Sequence, residues 1–145
     1  RVDLTMIGDA VNIAARLETA CSKYGIDNLI SGSIAEDVKG IFTVRLIDKI
    51  HVYGKTAPVS CYEAINHSID ASEDEKKLVT LFDEAFNKYE LGKFPEAKAL
   101  FIKTSEIEPD RGYNSNPSLE YIKRCEHLIS NPPSNWDGTW KMDSK

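Results

Sequence analysis

The chain has 145 residues, enough for one ordinary domain or two small ones, and its 41% hydrophobic and 28% charged residues are those of a globular protein. A net charge of −5 with scattered basic residues excludes the concentrated Lys/Arg footprint of a nucleic-acid surface, though not a nucleotide site, which takes only a few cations. No apolar run approaches the roughly 20 residues of a membrane-spanning helix, and the start shows no signal-peptide pattern.

The first residue is Arg1 rather than Met, so the chain is expected to be part of a longer protein, with room upstream for a sensor or membrane anchor. Cys21, Cys61 and Cys125 are far apart and odd in number, which points to reduced, buried thiols in a cytoplasmic compartment. His51, His67 and His127 have no paired spacing and are read as ordinary core or surface residues.

In chain order, residues 2–7 read as a strand closed by Gly8. Asp9 caps a helix running to about Lys23, with Gly25 as its stop signal. Residues 28–31 form a short buried strand and residues 33–38 a short helix. Strands follow at 42–47 and 59–64, with a further strand and a turn between them at 48–55.

Residues 67–75 are polar and acidic, the composition of a linker that ends in helix-starting signals. Beyond it the period becomes helical. Leu78, Leu81, Phe82, Ala85, Phe86 and Tyr89 make one apolar stripe. Gly92 breaks the chain, a second helix carries Ala97, Leu100, Phe101 and Ile107 before Pro109, and a third carries Leu119, Ile122 and Cys125. The prolines at 132 and 133 end the helices. Trp136 and Trp140 are expected to anchor the tail in an apolar groove.

The most informative stretch is Gly8-Asp9-Ala10-Val11-Asn12-Ile13-Ala14-Ala15-Arg16-Leu17-Glu18. On a helix, Ala10, Ile13, Ala14, Leu17 and Cys21 share a buried face, while Asn12 and Arg16, four apart, project together from another. By spacing alone that pair reads as a solvated face; it also offers an amide and a guanidinium to one anionic centre.

This stretch closely resembles the signature of class III adenylate and guanylate cyclases, a strand and a Gly followed by a helix with Asn and Arg four apart. The resemblance implies that Asn12 contacts the ribose and that Arg16 stabilises the pentavalent phosphorus transition state. Thr5 falls where that family reads the purine, implying ATP rather than GTP. Val52-Tyr53-Gly54-Lys55 resembles the family's Val-Lys-Gly-Lys turn, with Tyr53 in place of the first Lys, and Lys55 inherits contact with the triphosphate. Val59-Ser60-Cys61-Tyr62-Glu63 resembles the closing strand.

The resemblance further implies two Asp-bound divalent metals, Mg²⁺ or Mn²⁺, on the half of the domain upstream of this chain, and an active site shared across a homodimer. Residues 91–101 with Glu108-Pro109 resemble a tetratricopeptide repeat, in which Gly92 permits the turn, Ala97 close helix approach and Pro109 the stop. The tail looks like those that follow the cyclase domain in multidomain bacterial sensor cyclases.

The expected fold is therefore α+β. Residues 1–66 are the C-terminal half of a ferredoxin-like cyclase sheet, 67–75 a linker, 76–130 an all-α helical-hairpin module and 131–145 a Pro/Trp tail. Half a sheet leaves unpaired edges, so the fragment is expected to dimerise and, without its metal-binding half, to be inactive alone. The rival reading is a non-catalytic regulatory or dimerisation module that binds a protein partner through its helices.

Overall fold

The computed structural model describes residues 21–51 and 57–140. A helical turn at 21–24 leads into strand β1 (Ile30–Ser31), helix α1 (Gly32–Val38) and two long strands, β2 (Phe42–Ile50) and β3 (Val59–His67). A 3₁₀ turn (Ser68–Asp70) precedes three helices, α2 (Glu73–Glu90), α3 (Phe94–Ser105) and α4 (Pro117–Ser130). The chain is thus a mixed α+β structure around a small antiparallel sheet of order β1-β3-β2. The expected strand at residues 2–7, most of the helix at 9–23 and the turn at 52–55 lie outside the described residues.

Two local departures from the sequence reading have physical causes. Strand β1 is only two residues long because the side chain of Asn28 replaces backbone pairing: its Nδ2 donates to the Ala64 carbonyl at 3.0 Å and its Oδ1 accepts from the Ala64 N–H at 2.8 Å. Strand β2 does not stop at 47 but continues to Ile50, and it does so through a bulge. Its register slips between Leu46↔Tyr62 and Asp48↔Cys61, leaving Ile47 as the extra residue. A regular strand would turn Asp48 and Ile50 the same way as Leu46. The bulge instead brings both to the interior beside Arg45 and Ile47.

Helix α2 begins with a capping box, in which the Ser72 hydroxyl accepts from the Glu75 N–H and the Glu75 carboxylate accepts from the Ser72 N–H. It ends at Gly92, whose φ of +81° suits only a residue without a β-carbon. The Gly92 and Lys93 N–H groups donate back to the Tyr89 and Lys88 carbonyls. Asn116 caps α4, accepting from the Leu119 N–H at 2.9 Å, and Pro117 fills the first helical position.

The apolar stripe of α2 is buried as its period requires, Leu81 only partly. In α4 the expectation needs correction. Leu119 faces solvent, and the buried face is instead Tyr121, Arg124, Cys125 and Leu128, at i, i+3, i+4 and i+7. An arginine occupies the position that a purely apolar stripe would have filled.

One hydrophobic cluster joins the start of the described chain, β2, β3 and the three C-terminal helices. It contains Tyr24, Ile26 and Leu29 from the start of the described chain, Ile47, Ile50 and Cys61 from the sheet, and Phe82, Phe86, Tyr89, Phe101 and Tyr121 from the helices. Tyr121 is its centre, stacked on Phe101 at 4.9 Å and meeting Phe82, Phe86 and Tyr89 edge to face. Its hydroxyl donates to the Ile47 carbonyl at 2.6 Å, a carbonyl made available beside the bulge. The tail closes the far side as expected from its tryptophans. Trp136 packs on Tyr89 and Phe94, and its indole N–H donates to the Tyr89 and Glu90 carbonyls at the end of α2.

Because sheet and helices share this cluster, Phe82→Ala should destabilise both together, by about 3–5 kcal/mol. Amide exchange after the substitution should show β2 losing protection in step with α2. Protection of β2 left at its original level would separate the two parts.

Candidate functional site

Thr5, Asn12, Arg16 and Lys55, the residues expected to meet the nucleotide, lie outside the described residues. What the structure does place is the end of the helix expected over 9–23. The turn at 21–24 closes as the sequence requires, with Gly25 at φ +71°. The Ile26 N–H reaches the Cys21 carbonyl at 3.2 Å and the Gly25 N–H the Ser22 carbonyl at 3.3 Å, so the last carbonyls are satisfied locally.

This helix end rests on a buried polar cluster. The Tyr24 hydroxyl donates to the Asp48 carboxylate and accepts from the Arg124 guanidinium at 2.8 Å. Arg124 also reaches Asp48 directly at 2.9 Å, and all three side chains are almost fully buried. The guanidinium lies over the Tyr121 ring at 4.7 Å and the Trp140 ring at 5.2 Å. Burial is the largest single influence on Arg124 and opposes its charge, but Asp48 together with Tyr24, Tyr121 and Tyr89 outweighs it, so its pKa is raised well above the ordinary value and it remains a cation. Burial first, and then the charge on Asp48, push the Tyr24 phenol well up, so the hydroxyl remains a donor.

A second cluster lies farther along the sheet. Arg45 of β2 takes Glu63 of β3 at 2.7 Å on one side and Glu108, beyond α3, at 2.8 Å on the other. Its guanidinium also lies 4.6 Å above the Phe82 ring. Arg111 pairs with the other oxygen of Glu63 at 2.6 Å, which balances two cations with two carboxylates. Glu108 additionally accepts from the Ser118 hydroxyl at 2.5 Å, tying the start of α4 to the sheet. Each cluster therefore bolts β-structure to the helical segment. Neither contains a residue expected to handle substrate. Among the described residues there is no group of three His, Cys, Asp or Glu side chains placed to hold a metal ion.

Sequence reasoning did not single out Arg45, Asp48, Glu63 or Arg124. The available signal was positional. Arg45 stands within Val44-Arg45-Leu46-Ile47 and Asp48 directly follows it, where a solvated charge would interrupt a strand. Tyr121, Cys125 and Leu128 define a helix face that Arg124 shares.

Comparison with known proteins relates the chain to adenylate cyclases. It is 32% identical over 133 residues to the terminal-differentiation-specific adenylate cyclase of Dictyostelium discoideum, a match covering 86% of this chain and 6% of that protein. It is 44% identical over 66 residues to an adenylate cyclase of Anabaena cylindrica, covering 43% of this chain and 13% of that one. A third relative, adenylate cyclase 1 of Rhizobium meliloti, is 31% identical over 65 residues, 45% of this chain and 10% of its own length. The chain thus spans only a small fraction of each relative. No family model and no solved structure matches it. The first match, at 133 residues, is about twice the length of the expected cyclase half, so it runs on into the helices.

Burial pushes the Cys61 thiol, which pairs across the sheet with Asp48, from an ordinary 9.0 to about 12, with the Asp48 charge adding to the effect. Burial likewise takes Cys125 to about 12. A thiol pKa raised on folding stabilises the fold fully below the unfolded-state value and loses that contribution as pH rises toward the folded one. Stability to urea should therefore fall between about pH 9 and 12. Replacing Cys61 and Cys125 with Ala should flatten that fall, and an unchanged slope would contradict the assignment.

Proposed function

We propose that this chain is the C-terminal half of a class III cyclase catalytic domain with its following helical segment, within a longer protein that converts ATP to cyclic AMP and pyrophosphate. The observation that carries this reading is the motif from Gly8 to Glu18 in a chain whose relatives are adenylate cyclases. The longest of those matches reaches across both the motif-bearing part and the helices.

In this reading Thr5 accepts from the adenine amino group and Asn12 fixes the ribose. Arg16 donates to the phosphoryl oxygens as negative charge grows on them in the transition state, the stage at which a fixed cation accelerates reaction. Lys55 holds the triphosphate. The divalent metal, Mg²⁺ or Mn²⁺, belongs to residues upstream of this chain and supplies charge neutralisation when bound. The complete site is shared between two copies, so the fragment alone does not turn over. The three C-terminal helices are read as a tetratricopeptide-like regulatory segment and the upstream part as a sensor.

The longer parent chain, supplied separately with ATP and GTP in Mg²⁺ or Mn²⁺, should make cyclic AMP. Arg16→Ala should lower the rate on the order of 100-fold or more. A folded, dimeric parent that makes no product from either nucleotide would instead favour a non-catalytic regulatory or dimerisation module.

A further inference from the structure

The helix end is held at successive residues by one stretch of the helical segment. Lys23 Nζ meets Glu120 at 3.6 Å. Tyr24 stacks on Tyr121 with ring planes 9° apart and is hydrogen-bonded by Arg124. Gly25 lies so close to the loop before α4 that a β-carbon there would stand 2.2 Å from the Ser115 carbonyl oxygen. Ile26 is buried in the common cluster. Asp27 accepts from the Tyr113 hydroxyl at 2.6 Å and has the Arg111 guanidinium at 3.9 Å. The gripping side chains Glu120, Tyr121 and Arg124 fall on one face of α4, at i, i+1 and i+4.

We infer that residues 111–124 position the helical turn at 21–24 and, through it, the segment proposed to bring Asn12 and Arg16 to the nucleotide, with Tyr24, Asp48 and Arg124 acting as positioning residues for the reaction. The inference rests on the catalytic reading of that helix given above. Its physical basis is the polarity of the grip. A set of well-packed apolar side chains could hold the helix end as firmly as a buried ion pair. Hydrogen bonds do something different: they are directional and fix how the Tyr24 hydroxyl, and so the helix end, is rotated against the sheet. On the helix expected from the sequence, Arg16 stands eight residues before Tyr24, about 12 Å along the axis. Loosening at Tyr24 would pass to the residues just before it in sequence, and a catalytic cation held less firmly stabilises the transition state less.

The test uses Tyr24→Phe in the longer parent chain, which keeps the ring, its stacking and the Asp48–Arg124 pair. Turnover and amide exchange are both measured. With ATP, kcat should fall roughly tenfold while KM changes less than about twofold, since misplaced groups act on the transition state more than on ground-state binding. Amides from residue 12 to residue 24 should exchange at least about tenfold faster, while those of α2 and α3 keep their protection.

An unchanged kcat with unchanged exchange overturns the inference. So does a fall in kcat that only tracks a smaller folded fraction, since a purely structural role would produce that. If the unaltered parent makes no cyclic nucleotide, the cyclase reading fails. Exchange then decides the grip separately: faster exchange confined to the helix end supports it, and unchanged exchange overturns it.

Discussion

The pairing of Arg124 with Asp48 is the interaction on which the described structure depends. Each is a charge placed where water barely reaches it, at a free-energy cost that the partner offsets together with Tyr24. Asp48 reaches the interior only because β2 bulges at Ile47, and Arg124 meets it only because α4 packs its face onto that strand. Tyr24 completes the arrangement by donating a hydrogen bond to the carboxylate and accepting one from the guanidinium. One polar point thereby fixes three segments far apart in sequence.

Around that point the aromatic cluster supplies most of the burial. Tyr121 is shared by both kinds of contact, stacking with Tyr24 and Phe101 while its hydroxyl satisfies the Ile47 carbonyl. The second ionic cluster, Arg45 between Glu63 and Glu108, also bridges the strand to the helical segment, with the arginine now on the strand. Apolar surface gives such a fold its driving force, and the two buried arginines tie strand to helical segment through paired charges. The helices thus cover the sheet and hold the helical turn at 21–24.

Much of this was legible in the sequence where local rules decide. The apolar stripe from Leu78 to Tyr89, the stops at Gly25 and Gly92 and the anchoring tryptophan Trp136 follow from periodicity, positive φ and side-chain chemistry. The three cysteines are buried as packing residues. The interior charges escaped notice because hydropathy assigns Arg45, Asp48 and Arg124 to solvent, and only tertiary pairing reverses that. The bulge escaped for a related reason. It is set by which residues the helices need inside, not by β-propensity. The residues proposed for the nucleotide site were suggested only by resemblance, since by spacing alone Asn12 and Arg16 read as an ordinary solvated pair.

A double-mutant cycle on Asp48 and Arg124 in this chain, followed by urea unfolding, tests the central claim most directly. Asp48→Leu and Arg124→Met should each destabilise by about 3–5 kcal/mol, because each strands a buried charge. The double variant should lose no more than either single change, which would give a large coupling between strand and helix. Single losses that simply add would contradict the account, and would mean that Asp48 and Arg124 do not couple the strand to the helix.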